Sequence, residues 1–476
     1  NKLMKELKLA KWGLMILLAI GSINVWAQQT QLPQVHAFSM QQAIDYARQN
    51  NVQVKNALLD IQIQQQTNRE FTGAAYPQIH GTIGTTYNPN VATQVIPNFI
   101  GPAAYQVLVN EGVKDGNGNP IKMPSDFGFI AAQFGTKFSA TAGVSLSQIL
   151  FDGQVFVGLQ ARKTLIKFQE KNAELTEEAI RANIYKVYYQ LVVSKTQIEL
   201  LDANIELLNK LQHDTRIMHD NGFAEKLDID KLSVQLANLQ TEKVSALNQI
   251  QNGYLGLKVL MGMPVKDSLV LTDSLTDEKI KDGILQFDDF DYNQRKDYQY
   301  TELGIKLKEY DMRRYKLSKL PTLNLNGYYN KSAQRNKFDF LSDGSWFNVS
   351  AVSLQLNVPI FTGMAANARI AKAKLALQQT VNQREALKIN IDNEIETARN
   401  NFNTAVSTMD YQKENMELAE TVFQQTKKKF EIGTGSNTEI IQAQTDMKAA
   451  QTNYINALFN AVIARIDYIK ATGRLN

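Results

Sequence analysis

The residues best able to do chemistry in this chain are few and poorly grouped. Of four histidines, His213 and His219 stand six apart, so on a helix they do not share a face as ligands four apart would. Asp214 and Asp220 lie beside them, and solvated helix charge accounts for that grouping at least as well as a metal site. His36 and His80 have no evident partner in sequence. There is no cysteine, which excludes disulfides, thiolate zinc sites, cysteine nucleophiles and a lipid-anchor cysteine. No phosphate-binding loop, dinucleotide fingerprint or nucleophile elbow occurs. Nothing supports catalysis or a bound cofactor, so the chain is read as a non-enzyme. The most suggestive polar groups are carboxylates flanking two glycine turns. Asp228 follows Gly222 and Glu439 follows Gly433, three residues before Gln442. Glycine suits the left-handed end of one helix, and an acid suits the first turn of the next. A ring of such carboxylates would equally attract cations at the narrow end of a tube.

The elements that must position these turns are repeated. Phe151-Asp152-Gly153 recurs as Phe361-Thr362-Gly363 at an offset of 210, and Gly222 recurs as Gly433 at 211. Pro77 recurs as Pro321 at 244, so the first copy carries 34 extra residues between its proline and its Phe-x-Gly. Neither half reads as a self-sufficient domain; each is expected to pack against the other or further copies. The division is 28–263 for the first repeat, 264–290 for a connection and 291–476 for the second.

Residues 1–27 read as an export signal. Lys2, Lys5, Lys8 and Lys11 precede an apolar run over 13–20, Val25-Trp26-Ala27 is a cleavage site, and Gln28 opens the mature chain. Asn1 stands where a Met would start translation, so the natural start is expected to differ. Loss of the segment lowers the net charge from +4 to +1, which gives no argument for nucleic acid. No stretch reaches the length of a spanning helix, so any entry into a membrane must be through β-strands.

Each copy predicts a helix, two strands, a very long helix, a tight turn and a shorter helix. In the first copy, Ser39 caps a helix over 39–75 that Pro77 ends, and strands follow over 77–87 and 136–149. In the second, Leu323 and Leu325 alternate with Asn324 and Asn326, and Val352, Leu354 and Leu356 with Ser353 and Gln355. Tyr87, Tyr328, Tyr329, Trp346 and Phe347 are placed at or near strand ends, where a membrane barrel carries aromatic girdles. A water-soluble sheet with one polar face remains open. Residues 88–135 and 331–345 read as loops, the first holding the extra length.

Residues 154–220 and 364–431 predict helices of roughly 100 Å. Ile184, Val187, Leu191, Ile198 and Leu201 in one, broken at Ser194, and Ile391, Ile395, Ala398, Phe402, Ala405 and Met409 in the other, with Gln412 as a polar member, step by threes and fours along a coiled-coil seam. The helices over 227–260 and 439–471 are half as long. Two short helices must therefore stack end to end to cover each long one. Residues 264–290 read as a surface connection, with a short strand near Leu269-Val270-Leu271. The Gln- and Asn-rich helices suit either solvated surface or a water-filled lumen.

The doubled unit resembles the TolC-like outer-membrane efflux protein family. The likeness is carried by the Phe-x-Gly entries, by Arg295-Lys296-Asp297-Tyr298 opening a helix that ends in Leu320-Pro321, and by Gly222…Leu227-Asp228-Ile229. Phe430-Glu431-Ile432-Gly433…Glu439-Ile440-Ile441-Gln442 carries it too. It covers essentially all of the mature chain. It implies a mainly α chain with four β-strands, assembling as a homotrimer: a 12-stranded β-barrel in outer-membrane lipid above a periplasmic α-barrel. Independently, four strands cannot close a barrel whose smallest members have about eight, and arithmetic alone allows two, three or four chains. The resemblance further implies a passive exit duct working with a periplasmic adaptor protein and an inner-membrane pump. Two aspartates of the family's closed end match Glu439 and Gln442, and its latch tyrosine and arginine match Phe430 and Gly435. The expected constriction is Glu439, Gln442, Phe430 and Asp228, and the adaptor contacts are Gly222 and Gly433. The other reading is a periplasmic coiled-coil scaffold whose strands form a soluble cap.

Overall fold

The computed structural model describes residues 34–275, 277–281, 290–342 and 344–475. The signal segment 1–27, the proposed first mature residue Gln28 and most of the far end of the 264–290 connection lie outside the described residues. In chain order the elements are β1 (Val35–Phe38), α1 (Met40–Asn50), α2 (Val52–Gly73), β2 (Gln78–Tyr87), β3 (Thr93–Pro97), α3 (Ile100–Asn110), β4 (Phe129–Gln133) and β5 (Phe138–Phe151). There follow α4 (Gly153–Asp220), α5 (Lys226–Met261), β6 (Ser268–Leu271), α6 (Asp277–Lys281), α7 (Lys296–Leu317), β7 (Thr322–Arg335), β8 (Phe347–Asn357), α8 (Ala365–Glu431) and α9 (Asn437–Ala471). The chain is mainly helical, and the order helix, two long strands, long helix, short helix occurs twice. It divides into two compact units, each drawing on both repeats: Asn1–Lys55, Thr176–Phe290 and Glu394–Asn476 in one, Asn56–Leu175 and Asp291–Asn393 in the other.

The second unit holds the antiparallel sheet β2-β5-β7-β8. Its register sorts the side chains onto two unlike faces. Directly opposed residues share a face, so Ile79, Leu146 and Val352 lie together beside Gly327, with Leu325 opposite Leu354 and Leu323 opposite Leu356. The other face carries His80, Ser145 and Tyr328, with Asn326 opposite Ser353 and Asn324 opposite Gln355. The apolar face is bare: Ile83 is 90% exposed and Val352 80%. Strands β2 and β8 have no partner on their outer edges among the described residues.

Two strand expectations need correction. Tyr328 and Tyr329 sit in mid-strand, because β7 runs on to Arg335, five residues into the expected loop. The aromatic cluster at that sheet end is instead Tyr87 stacked on Phe138 at 4.8 Å, Phe138 against Phe338, and Phe340 against Trp346, with Arg335 over Phe340. Residues 88–135 are not a plain loop either. They fold as the hairpin β3–β4 around α3, because Val95, Ile96 and Phe129–Ile130 supply a β-pattern that the flanking Gly and Asn obscured.

The Phe-x-Gly glycine recurs for two different reasons. Gly363 has φ +59°, whereas a Cβ on Gly153 would come within 2.8 Å of Leu317 Cβ.

In the first unit, the long helices bury their seams. Ile184, Tyr188, Leu208, Met409 and Phe423 are at most 1% exposed. The expected helix over 39–75 is broken at Asn51, whose backbone is extended (ψ 129°). Its side-chain oxygen accepts from the N–H of Gln53 (2.8 Å) and Val54 (3.2 Å), and its Nδ2 donates to the carbonyl of Leu260 (2.7 Å). Gly262, at φ +70°, brings the end of α5 so close that a Cβ there would lie 2.4 Å from the Asn50 carbonyl. The C-terminus of α5 thus meets the α1–α2 junction, which is the end-to-end meeting of short helices in the first repeat.

Ser39 caps α1, as the sequence indicates, with a capping box to Gln42. β1 pairs in parallel with the short strand β6, and His36, without an evident partner in sequence, lies 3.4 Å from Asp267. Tyr188 secures this edge: its hydroxyl donates to the Phe38 carbonyl (2.9 Å) and accepts from the Asp273 N–H (3.3 Å). Burial pushes its pKa up to about 12, so it stays a neutral donor.

Asn51→Ala removes one cap and one buried hydrogen bond. We expect a local cost of about 1–2 kcal/mol, read as faster amide exchange across α1 and the start of α2, with exchange in the sheet unchanged.

Candidate functional site: the paired helix turns

The two tight turns are built alike. After α4, the Phe223 N–H donates to the Met218 carbonyl (2.8 Å) and the Gly222 N–H to that of His219 (2.9 Å), with Gly222 at φ +77°. After α8, the Thr434 N–H donates to the Lys429 carbonyl (2.9 Å) and the Gly433 N–H to that of Phe430 (3.0 Å), with Gly433 at φ +76°. These are the two bonds of a Schellman stop, which needs a left-handed residue at this position. No atom lies within 4 Å of a Cβ built on either glycine, so conformation alone requires them. Gly435 is different: a Cβ there would lie 2.9 Å from the Phe430 nitrogen. A side chain matching the family's latch arginine therefore does not fit this turn as it stands.

The next helices start differently. The Asp228 carboxylate accepts from the Glu225 N–H (3.2 Å), and the Ser436 hydroxyl accepts from the Glu439 N–H (3.2 Å). Asp228 thus acts as a capping acid and is half-buried. Glu439 is exposed in the first turn of α9, where its charge complements the helix dipole. Gln442, one turn on, is exposed and donates to Asp446 (2.8 Å).

Both turns line one cleft of about 520 Å³, with Asp228, Phe430, Gly433 and Asn437 in its wall. Phe430, 5% exposed, belongs to the core that joins the two hairpins, with Leu211, Phe423 and Ile440. The structure therefore brings together Asp228, Phe430 and the Gly433 turn, and sets Glu439 and Gln442 apart on the open face of α9. Phe223 (80% exposed) and Ile432 (75%) also line the cleft. Sequence reasoning passed over both; the available signal was a large apolar residue beside each stop glycine, where turns are ordinarily polar. It also missed the polar layer above: Asn204, 3% exposed, donates to Gln451 (2.8 Å) and is approached by Gln444 Nε2 at 3.5 Å.

Among the described residues no three His, Asp or Glu gather in a way that could hold a metal ion. Both His213 and His219 lie on α4, and the His219 ring nitrogen Nδ1 lies 3.3 Å from the carboxylate of the adjacent Asp220. No described helix is long and apolar enough to cross a membrane.

Two long helical hairpins and a four-stranded antiparallel sheet are a fold shared with solved outer-membrane channel proteins. The crystal structure of VceC from Vibrio cholerae superposes with a TM-score of 0.68 at 14% identity, covering 91% of this chain and 96% of that one. The CmeC outer membrane channel of Campylobacter jejuni gives 0.69 at 16% identity, covering 91% and 85%. In sequence, the outer membrane protein TolC of Vibrio cholerae is 19% identical over 346 residues, 71% of this chain and 77% of its own length. The family model described as outer membrane efflux protein matches residues 293–474, which lie within the second repeat. The Phe-x-Gly entries and glycine stops carry a resemblance to the same family in the sequence.

Gly222→Ala should cost about 1 kcal/mol through left-handed strain alone, and Gly222→Asn much less. Amide exchange at Phe223 and Ala224 measures both. Gly435→Ala, which meets backbone, should disturb its turn more than either.

Proposed function

We propose that the chain is one protomer of a passive outer-membrane exit duct, part of a tripartite efflux or type I secretion system. The observation that carries the reading is the four-stranded sheet, with an apolar face, a polar face and two open edges. Four strands are too few to close a barrel, and unpaired backbone groups are intolerable in lipid. Three copies joined β2 to β8 give a 12-stranded barrel, apolar outside and polar within, in the bacterial outer membrane. The helices then extend into the periplasm as an α-barrel of paired hairpins. The repeats 28–263 and 291–476, joined by 264–290, each supply two strands and one hairpin, behind a cleaved signal over 1–27.

Such a duct supplies no energy and no catalysis. It couples to an inner-membrane pump through a periplasmic adaptor that docks at the Gly222 and Gly433 turns. The exposed Phe223 and Ile432 support this docking, since large apolar side chains on turn tips mark contact surfaces. Exposed Glu439, with Gln442 beside it and Asp228 in the adjoining cleft, forms the constriction. Phe430 serves it as the packing anchor of the hairpin pair. The scaffold alternative leaves the bare apolar sheet face without a solvent.

Leu354→Asp or Leu356→Asp places a charge on the lipid face at a cost of about 2–4 kcal/mol near mid-bilayer, and should block recovery of detergent-extracted trimer from outer membranes. A soluble cap would assemble regardless. In planar bilayers, Glu439→Gln should lower cation over anion preference; unchanged selectivity removes Glu439 from the constriction. Gly222→Arg and Gly433→Arg should abolish export while trimer recovery stays normal.

A further inference from the structure

The sheet-bearing unit contains a groove of about 730 Å³ with α4 as floor and α2 and α7 as walls. Its floor carries Val157, Leu165 and Phe168, and Phe71 and Leu307 face it from the walls. Four charged residues also line it. Asp311 is held by Arg314 at 2.8 Å, which leaves Arg162 and Lys308 without a lining acid to balance them. Arg162 is fixed in place, donating from Nη1 to the Thr72 hydroxyl (2.6 Å) and from Nε to the Leu159 carbonyl (2.9 Å). An apolar trough of this volume with two uncompensated cations complements a single amphiphilic molecule bearing one negative group.

The sheet fixes which way the groove opens. Phe151 pairs with Leu323, a member of the apolar face, and its ring lies 5.7 Å from that of Phe156. At about 100° per residue, Phe156 lies on the side of α4 opposite the stripe of Val157, Ala161, Leu165 and Phe168. Gln160, on the same side as Phe156, accepts from Arg313 Nη1 (3.1 Å), so that side of α4 and α7 is bonded together away from the groove. The side of α4 bearing Phe156 therefore continues the apolar sheet face, and the groove side continues the polar one.

We infer that this groove is a lumen-facing binding site for water-soluble anionic amphiphiles, one per protomer, just below the strands. The inference rests on the duct reading for its direction, since only a barrel with its apolar face in lipid makes the polar side a lumen. A cargo molecule resting there would be held by Arg162 and Lys308 at its head and by the α4 stripe along its body.

The absence of native cysteine makes the test direct. In the full-length protein in amphipol, Leu307→Cys reports on the groove and Phe156→Cys on the opposite side of the helix. Pyrenesulfonate should slow maleimide labelling of Leu307→Cys and leave Phe156→Cys at its original rate, while pyrenemethylammonium should protect neither. Adding Lys308→Glu should raise the half-protecting concentration by about fivefold or more, the effect of losing and reversing one partly exposed charge contact. Equal protection by the cation, equal protection at both cysteines, or unchanged protection in Lys308→Glu would each overturn the site. So would protection by phosphatidylglycerol nanodiscs without protection by pyrenesulfonate, since the occupant would then be a bilayer lipid. Native mass in the same preparation separates the two levels. A trimer without protection rejects the groove and keeps the duct, whereas a protected monomer rejects the duct and with it the lumen.

Discussion

The outer edges of β2 and β8 present rows of unpaired N–H and C=O groups, and that constraint governs everything built on the sheet. In water such an edge invites aggregation; in lipid it is untenable. Chain order places the two edges on opposite sides of one sheet, so copy can follow copy around a closed ring. Heterologous pairing of this kind closes only when the rotation between copies divides a full turn. The same register also separates the faces cleanly: Leu354 and Leu356 fall opposite Leu325 and Leu323, while Gln355 falls opposite Asn324. A one-residue slip would exchange them, sending Leu to the polar face and Asn to the apolar one. Apolar alternation therefore fixes register within the chain and limits the register available between chains.

The helices meet a different demand. A narrow heptad seam buries little surface per turn, so each long helix needs neighbours along its whole length. In the first repeat the junction of Asn51 with Leu260 and Gly262 supplies that continuity. A seam of uniform leucine and alanine would leave the hairpins free to slide by a heptad. The polar layer of Asn204, Gln444 and Gln451 opposes this, because a slip would strand buried amides without partners. Gln412 is the contrasting case, a seam residue whose Oε1 is buried without a hydrogen-bond partner.

What could be read from sequence was whatever the backbone enforces locally. The stop glycines, the Ser39 cap and the strand alternation each follow from one residue's conformational preference or from a period of two, and each appears where the pattern places it. The misses are features decided by distant chain. Nothing near Asn51 marks a helix break; its cause is a carbonyl at Leu260, 209 residues away. His36 finds Asp267 only because β1 pairs with β6, a contact between the start and end of the first repeat. The hairpin inside 88–135 was hidden because Gly, Asn and Pro are scattered through it and its two short strands are separated by α3.

The turn site shows the same division at finer scale. Gly222 and Gly433 reach φ values within one degree of each other although the residues around them differ. The stop is therefore a conserved geometry between repeats rather than a conserved sequence. The first-turn acids are not equivalent in the same way. Asp228 bonds the backbone ahead of its own helix, so much of its charge is committed to capping, whereas Glu439 leaves that task to Ser436 and keeps its carboxylate free. Duplicated units that begin as equals can diverge in this manner: once a hydroxyl takes over the cap, the acid three residues later is released for work outside the fold. That asymmetry, more than the presence of acids at both turns, makes α9 the helix whose first turn presents an acid not engaged in capping.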